Sequence, residues 1–82
     1  MNVITALKIS IEFNSKDLLD HIEDNLQNKF GRGESIVNID LNDFDRSHDV
    51  RNFKKIQQYY VLQGFDVVLD NADFQMKISL PE

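Results

Sequence analysis

The chain has 82 residues, 14 of them acidic and 9 basic, and the resulting net charge of -5 disfavours unaided binding to phosphate backbones. It has no cysteine, which excludes a disulfide framework and a thiolate metal site, and its 41% hydrophobic content suits a folded domain rather than a disordered one. A domain this small buries only about two-thirds of its unfolded surface, which leaves little for a deep catalytic cavity. Counted from the sequence, the acidic excess lies after Gly33, where nine acids face five bases, against five and four in residues 1–33.

From the first residue, Leu7, Ile9, Ile11 and Phe13 alternate with Lys8, Ser10 and Glu12, a two-residue period that predicts a strand ending at Phe13. The segment from Met1 to Phe13 lacks a basic leader, a continuous apolar block and a small-residue cleavage site, so it reads as a strand and not a signal peptide. No stretch reaches the roughly 20 apolar residues that cross a bilayer. No membrane partner is expected, and the cytoplasm is the expected location.

A helix is expected to start at Asn14 or Ser15, whose side chains suit the free amides of a first turn, with Asp17 complementing the dipole. Leu18, Leu19, Ile22, Leu26 and Phe30 recur at three- and four-residue spacing, and Gly31 and Gly33 mark the exit. Residues 35–41 read as a strand through Val37, Ile39 and Leu41, followed by a polar loop from Asn42 to Ser47. A second helix opens at Asp45 or Ser47, carries Val50, Phe53, Ile56, Tyr60 and Val61 on its apolar side, and stops at Gly64. If Gly64 takes a left-handed conformation, Phe65 falls where the closing hydrophobic contact of such a helix end occurs, against Tyr60. Phe65 to Asp70 and Phe74 to Leu80 then form an antiparallel hairpin about Asn71 and Ala72.

The predicted order is β-α-β-α-β-β in one domain, residues 1–82. The fold class is α+β: a two-layer α/β sandwich in which a four-stranded mixed sheet carries two helices on one face. Short connections around each helix make the first three strands parallel in the order 1-2-3-4, with the fourth antiparallel to the third. Two helices cover one face only. The other is expected to present Lys8, Ser10, Glu12, Asn38, Asp40, Asp66, Asp70, Gln75, Lys77 and Ser79, with Ile4, Ile36 and Val68 as apolar exceptions. Among these, Glu12, Asp40, Asp66, Asp70 and Lys77 are the expected partner-binding residues, and an open sheet edge is a second docking route.

Other polar clusters each have a structural explanation beside the chemical one. Asp43 to Asp49 surrounds His48 with carboxylates, yet such residues also cap helices. Its alternate acids resemble a calcium loop, but His48 stands at the glycine position and Lys54 at the bidentate glutamate position. Asp17, His21 and Asp24 share a helix side where a divalent metal would fit, and Arg51, Lys54, Lys55, Gln58 and Tyr59 form a basic strip with a stacking ring. No nucleophile-elbow, phosphate-loop, dinucleotide or zinc signature is present.

The reading favoured by the sequence is a non-catalytic binding or regulatory module that contacts a protein, or a second copy of itself, with no cofactor and no direct nucleic-acid contact. Two alternatives stand beside it. One is an acidic inhibitor that imitates nucleic-acid charge, and the other is a small metal-dependent or acid-base enzyme using the Asp45, His48 and Asp49 loop or the His21 helix.

Overall fold

The computed structural model describes residues 1–43, 50–70 and 72–81. Helix α1 spans Val3–Gly31, strand β1 Ile36–Asp40 and helix α2 Val50–Leu62; strands β2, Asp66–Asp70, and β3, Gln75–Ser79, close the chain. A single 3-10 turn, Leu41–Asp43, follows β1. Two helices against a three-stranded antiparallel sheet make an α+β fold.

The expected first strand is instead the first half of α1. Asn2, with extended backbone, caps the helix by accepting a hydrogen bond from the Thr5 amide at 2.8 Å, a cap that comes twelve residues before the predicted one. From there Ile4, Leu7 and Ile11 sit at three- and four-residue spacing and continue into Leu18, Ile22 and Leu26, so one helical stripe faces the core throughout. The predicted helix start survives as a kink, for Ser15 has φ -140° and ψ 36° inside an otherwise helical run. A buried hydrogen bond holds the kink, the Asn52 side-chain amide of α2 donating to Ser15 Oγ at 3.0 Å.

Both helices end in the same way. Gly33 and Gly64 have φ of 86° and 101°, and the amides after them, Glu34 and Phe65, donate to the carbonyls of Lys29 and Tyr60. The second ending places the Phe65 ring edge-on to Tyr60 at 6.0 Å, the contact expected from the sequence, and also stacks it on Phe30 at 5.9 Å. Two other expectations for α2 fail. Val61 is 48% exposed, and Tyr59, expected on the basic strip, belongs to the core.

The sheet order is β1-β3-β2, with both ladders antiparallel, which replaces the expected mixed sheet in order 1-2-3-4. β1 and β2 run in the same direction but are not neighbours, because the hairpin carries β3 into the gap between them. The central place suits β3, whose Met76 and Ile78 are fully buried, and it pairs both edges of that strand. The register aligns Val37, Ile78 and Val67 across the three strands, and Ile39, Met76 and Leu69 beside them. These six face the helices, α1 packing over β1 and α2 over β2.

Candidate protein-docking face

Side chains of alternate parity point away from the helices, and the register arranges them as three cross-strand rows. Ile36, Ser79 and Asp66 form one row, Asn38, Lys77 and Val68 the next, and Asp40, Gln75 and Asp70 the third. Among the described residues no element covers this face, and apart from Ser79, which is half-buried, every side chain in the three rows is exposed. The expected face therefore forms from β1, β2 and β3. Its helical contributors Ile4, Lys8, Ser10 and Glu12 are elsewhere, because residues 3–14 are not a strand.

Lys77 sits at the centre of the rows, diagonal to Asp40, Asp66 and Asp70. Diagonal neighbours on a sheet lie about 7–8 Å apart, within reach of a long side chain such as lysine, so Lys77 is placed to offset part of the charge of these carboxylates. The three carboxylates differ in their commitments. Asp40 Oδ1 accepts from the Asn42 amide at 2.9 Å and from Asn42 Nδ2 at 3.0 Å, and Asn42 Nδ2 also donates to the Asp73 carbonyl. Asp70 Oδ1 accepts from the amides of Ala72 and Asp73, holding the hairpin turn. Asp66 has no such task among the described residues, so it and the second oxygens of Asp40 and Asp70 carry the available negative charge.

At the Ser79 end the face dips into a depression of about 590 Å³, lined by Ile36, Asp66, Val68, Lys77, Leu80 and Pro81 together with two serines. Ile36, Val68 and Leu80 are 47%, 60% and 42% exposed, so three branched apolar side chains share one site. The predicted last strand runs from Phe74 to Leu80. The ladder ends at Ser79, ahead of Pro81, and the Leu80 amide donates to the Ser35 carbonyl instead. Proline cannot extend a ladder, and that was the signal for this rim.

The other candidate chemistry is dispersed. Glu12 lines a separate depression of about 670 Å³ between the helices, with Lys8, Lys16, Glu23 and Tyr59, and is not on the sheet face. Beside it the Tyr60 hydroxyl donates to Glu23 Oε1 at 2.6 Å; burial first, and then this carboxylate, push the hydroxyl far above its ordinary range. It stays protonated and serves packing. On the expected basic strip, Lys55 donates to Ser10 Oγ at 2.9 Å and the buried Tyr59 offers no open ring for stacking.

The His21 Nε2 lies 3.2 Å from Asn25 Nδ2, and no group of three histidine, aspartate or glutamate side chains among the described residues is placed to hold a metal ion. The cluster about Asp45, His48 and Asp49 falls outside the described residues. No helix among the described residues is long and apolar enough to cross a membrane. No protein-family model, curated protein or solved structure matches the chain.

Proposed function

We propose that this protein is a small, non-catalytic binding module whose open sheet face receives a protein surface with an apolar centre and cationic flanks. The observation that carries the reading is the convergence of Ile36, Val68 and Leu80 in one depression bordered by Asp66. Each of these side chains is about half exposed, so covering it contributes about 1 kcal/mol, half the value for complete burial of a branched aliphatic residue. Lysine or arginine on the partner would meet Asp66 and the uncommitted oxygens of Asp40 and Asp70, which favours fast association and correct orientation more than added affinity. Lys77, at the middle of the carboxylates, interrupts a continuous negative row and so weighs against imitation of a phosphate backbone.

The test compares partners retained by the immobilised protein with those retained by the variants Val68→Asp and Asp66→Lys. Loss of the same binding protein with Val68→Asp, and slower, less salt-sensitive association with Asp66→Lys, are the expected results. Retention of every partner by both variants would exclude this face.

A further inference from the structure

The two edges of the sheet are finished differently. In the ladder between β1 and β3 the Leu41 amide donates to the Phe74 carbonyl and the Leu80 amide to the Ser35 carbonyl, so positions 35, 37, 39 and 41 turn their backbone groups toward β3. Ile36, Asn38 and Asp40 therefore turn theirs outward, and among the described residues nothing meets them. On the other side β3 meets β2 through positions 75, 77 and 79, which leaves Val67 and Leu69 facing outward. There the edge is already occupied, because the Gln57 side-chain amide donates to the Val67 carbonyl at 3.1 Å. We propose that the β1 edge is a strand-addition site: it takes an extended segment of a partner protein, antiparallel to β1, with a cationic residue opposite Asp40 and an aliphatic one opposite Ile36.

The helical layer shelters this edge and not the other. Val37 and Ile39 are each 1% exposed although they stand on an edge strand, whereas Val67 and Leu69 on β2 are only partly buried. α1 therefore extends over the place of a further strand beside β1, and the helix-facing side chains of that strand would be covered together with Val37 and Ile39. A second copy of the chain does not fit there. Self-pairing through all three outward residues would turn about Asn38, and α1, which covers Val37 and Ile39 equally, crosses β1 at that point. The two α1 helices would then lie about 5 Å apart, the spacing of neighbouring strands, where packed helices need about 8–10 Å. A partner segment with no helix above it avoids the collision. Its chemistry follows from the edge residues on the open side. One Asp40 oxygen accepts both hydrogen bonds from Asn42, which leaves the other for a lysine or arginine, and Ile36, still half exposed, gains cover from an aliphatic neighbour. Main-chain hydrogen bonds supply the attachment and these two side chains the selectivity.

The probe is the peptide acetyl-Lys-Val-Thr-Val-Ile-amide, whose first, third and fifth residues would stand opposite Asp40, Asn38 and Ile36. Titrated to about 5 mM into the isotope-labelled chain, it should shift the amide resonances of Ile36, Asn38 and Asp40 in a saturable way and slow their exchange with solvent. N-methylation of its third residue, whose amide faces β1, should weaken binding about tenfold, and N-methylation of the second, whose amide faces solvent, should leave it nearly unchanged. Asn38→Pro removes a donor at an outward position where an edge strand tolerates proline, and should abolish binding with the circular dichroism unchanged. If that variant fails to fold, the two methylated peptides decide. Glutamate in place of the peptide's lysine should weaken binding, whereas Val68→Asp should not, so the edge and the sheet face succeed or fail separately. Absence of saturable shifts, equal effects of the two methylations, or shifts confined to Asp66, Val68 and Lys77 would each overturn the proposal. Protection of the three outward amides that rises with protein concentration in the absence of peptide would give the edge to a second copy and overturn it as well.

Discussion

Truncating Ile11 and Ile9 separately distinguishes a helix from a strand over the first thirteen residues. In a strand laid on the core, positions 9 and 11 share one side and would lose similar stability on truncation. In α1 they are 200° apart around the axis, and their exposures are 0% for Ile11 and 55% for Ile9. Ile11→Ala removes a branched side chain from a close-packed site and should cost about 2–5 kcal/mol, transfer and cavity terms together. Ile9→Ala should cost about 1 kcal/mol at most from its partial burial, offset by roughly half that from the better helix propensity of alanine. For a chain of this length total stability is about 4–12 kcal/mol, so the first variant loses a large fraction and the second almost nothing. Urea unfolding followed by far-ultraviolet circular dichroism measures both. Equal losses at the two positions, with unchanged denaturant slopes, would refute the helical assignment.

Ser15→Ala leaves the buried Asn52 amide without its acceptor and should lower stability by about 1–3 kcal/mol; a double-mutant cycle with Asn52→Ala should show coupling between the two sites. The glycines at the end of α1 and α2 should respond in opposite directions to alanine, although neither position has an atom within 4 Å of an added Cβ. Gly64→Ala, at φ 101°, should destabilise by about 1–2 kcal/mol from backbone strain alone, whereas Gly31→Ala, inside α1, should stabilise by up to about 1 kcal/mol; thermal melts compare them. Because the Tyr60 hydroxyl is raised above its unfolded value of 10.0, the folded state holds that proton more tightly. Its contribution is complete below about pH 10 and lost as pH rises beyond it, so Tyr60→Phe should flatten the alkaline decline in urea midpoint measured between about pH 9 and pH 11. An unchanged alkaline slope would show that Tyr60 does not titrate differently in the two states.

The misread first element shows where sequence patterning is degenerate. Apolar residues at 7, 9, 11 and 13 satisfy a period of two, but 4, 7, 11, 18, 22 and 26 satisfy a helical period over a much longer run, and the longer run buries more. Asn2 was the local sign, a capping residue ahead of that run. The exits were plainer, because glycine at 33 and 64 answers a backbone requirement that few other residues meet, and Phe65 then has one place to go. Strand order was not written locally at all. A parallel neighbour for β1 and an inserted antiparallel one bury the same six side chains against the same helices, so the hydrophobic alternation is indifferent between them.

That indifference is why the sheet face was legible when its topology was not. The side on which Asp40, Asp66, Asp70 and Lys77 stand is set by strand parity, and parity survives any reordering of the strands. Their neighbours, however, depend on order: only with β3 in the middle does Lys77 lie diagonal to all three acids, and only then do Ile36 and Val68, on opposite edge strands, flank the same depression. Glu12 followed the opposite logic, because its place on the face rested on the period assigned to residues 7–13, and a change from two to 3.6 residues moved it to the cleft between the helices. The same change put Ile9 and Phe13 into solvent, so one revision of period both removes Glu12 from the sheet face and leaves two apolar side chains exposed on α1.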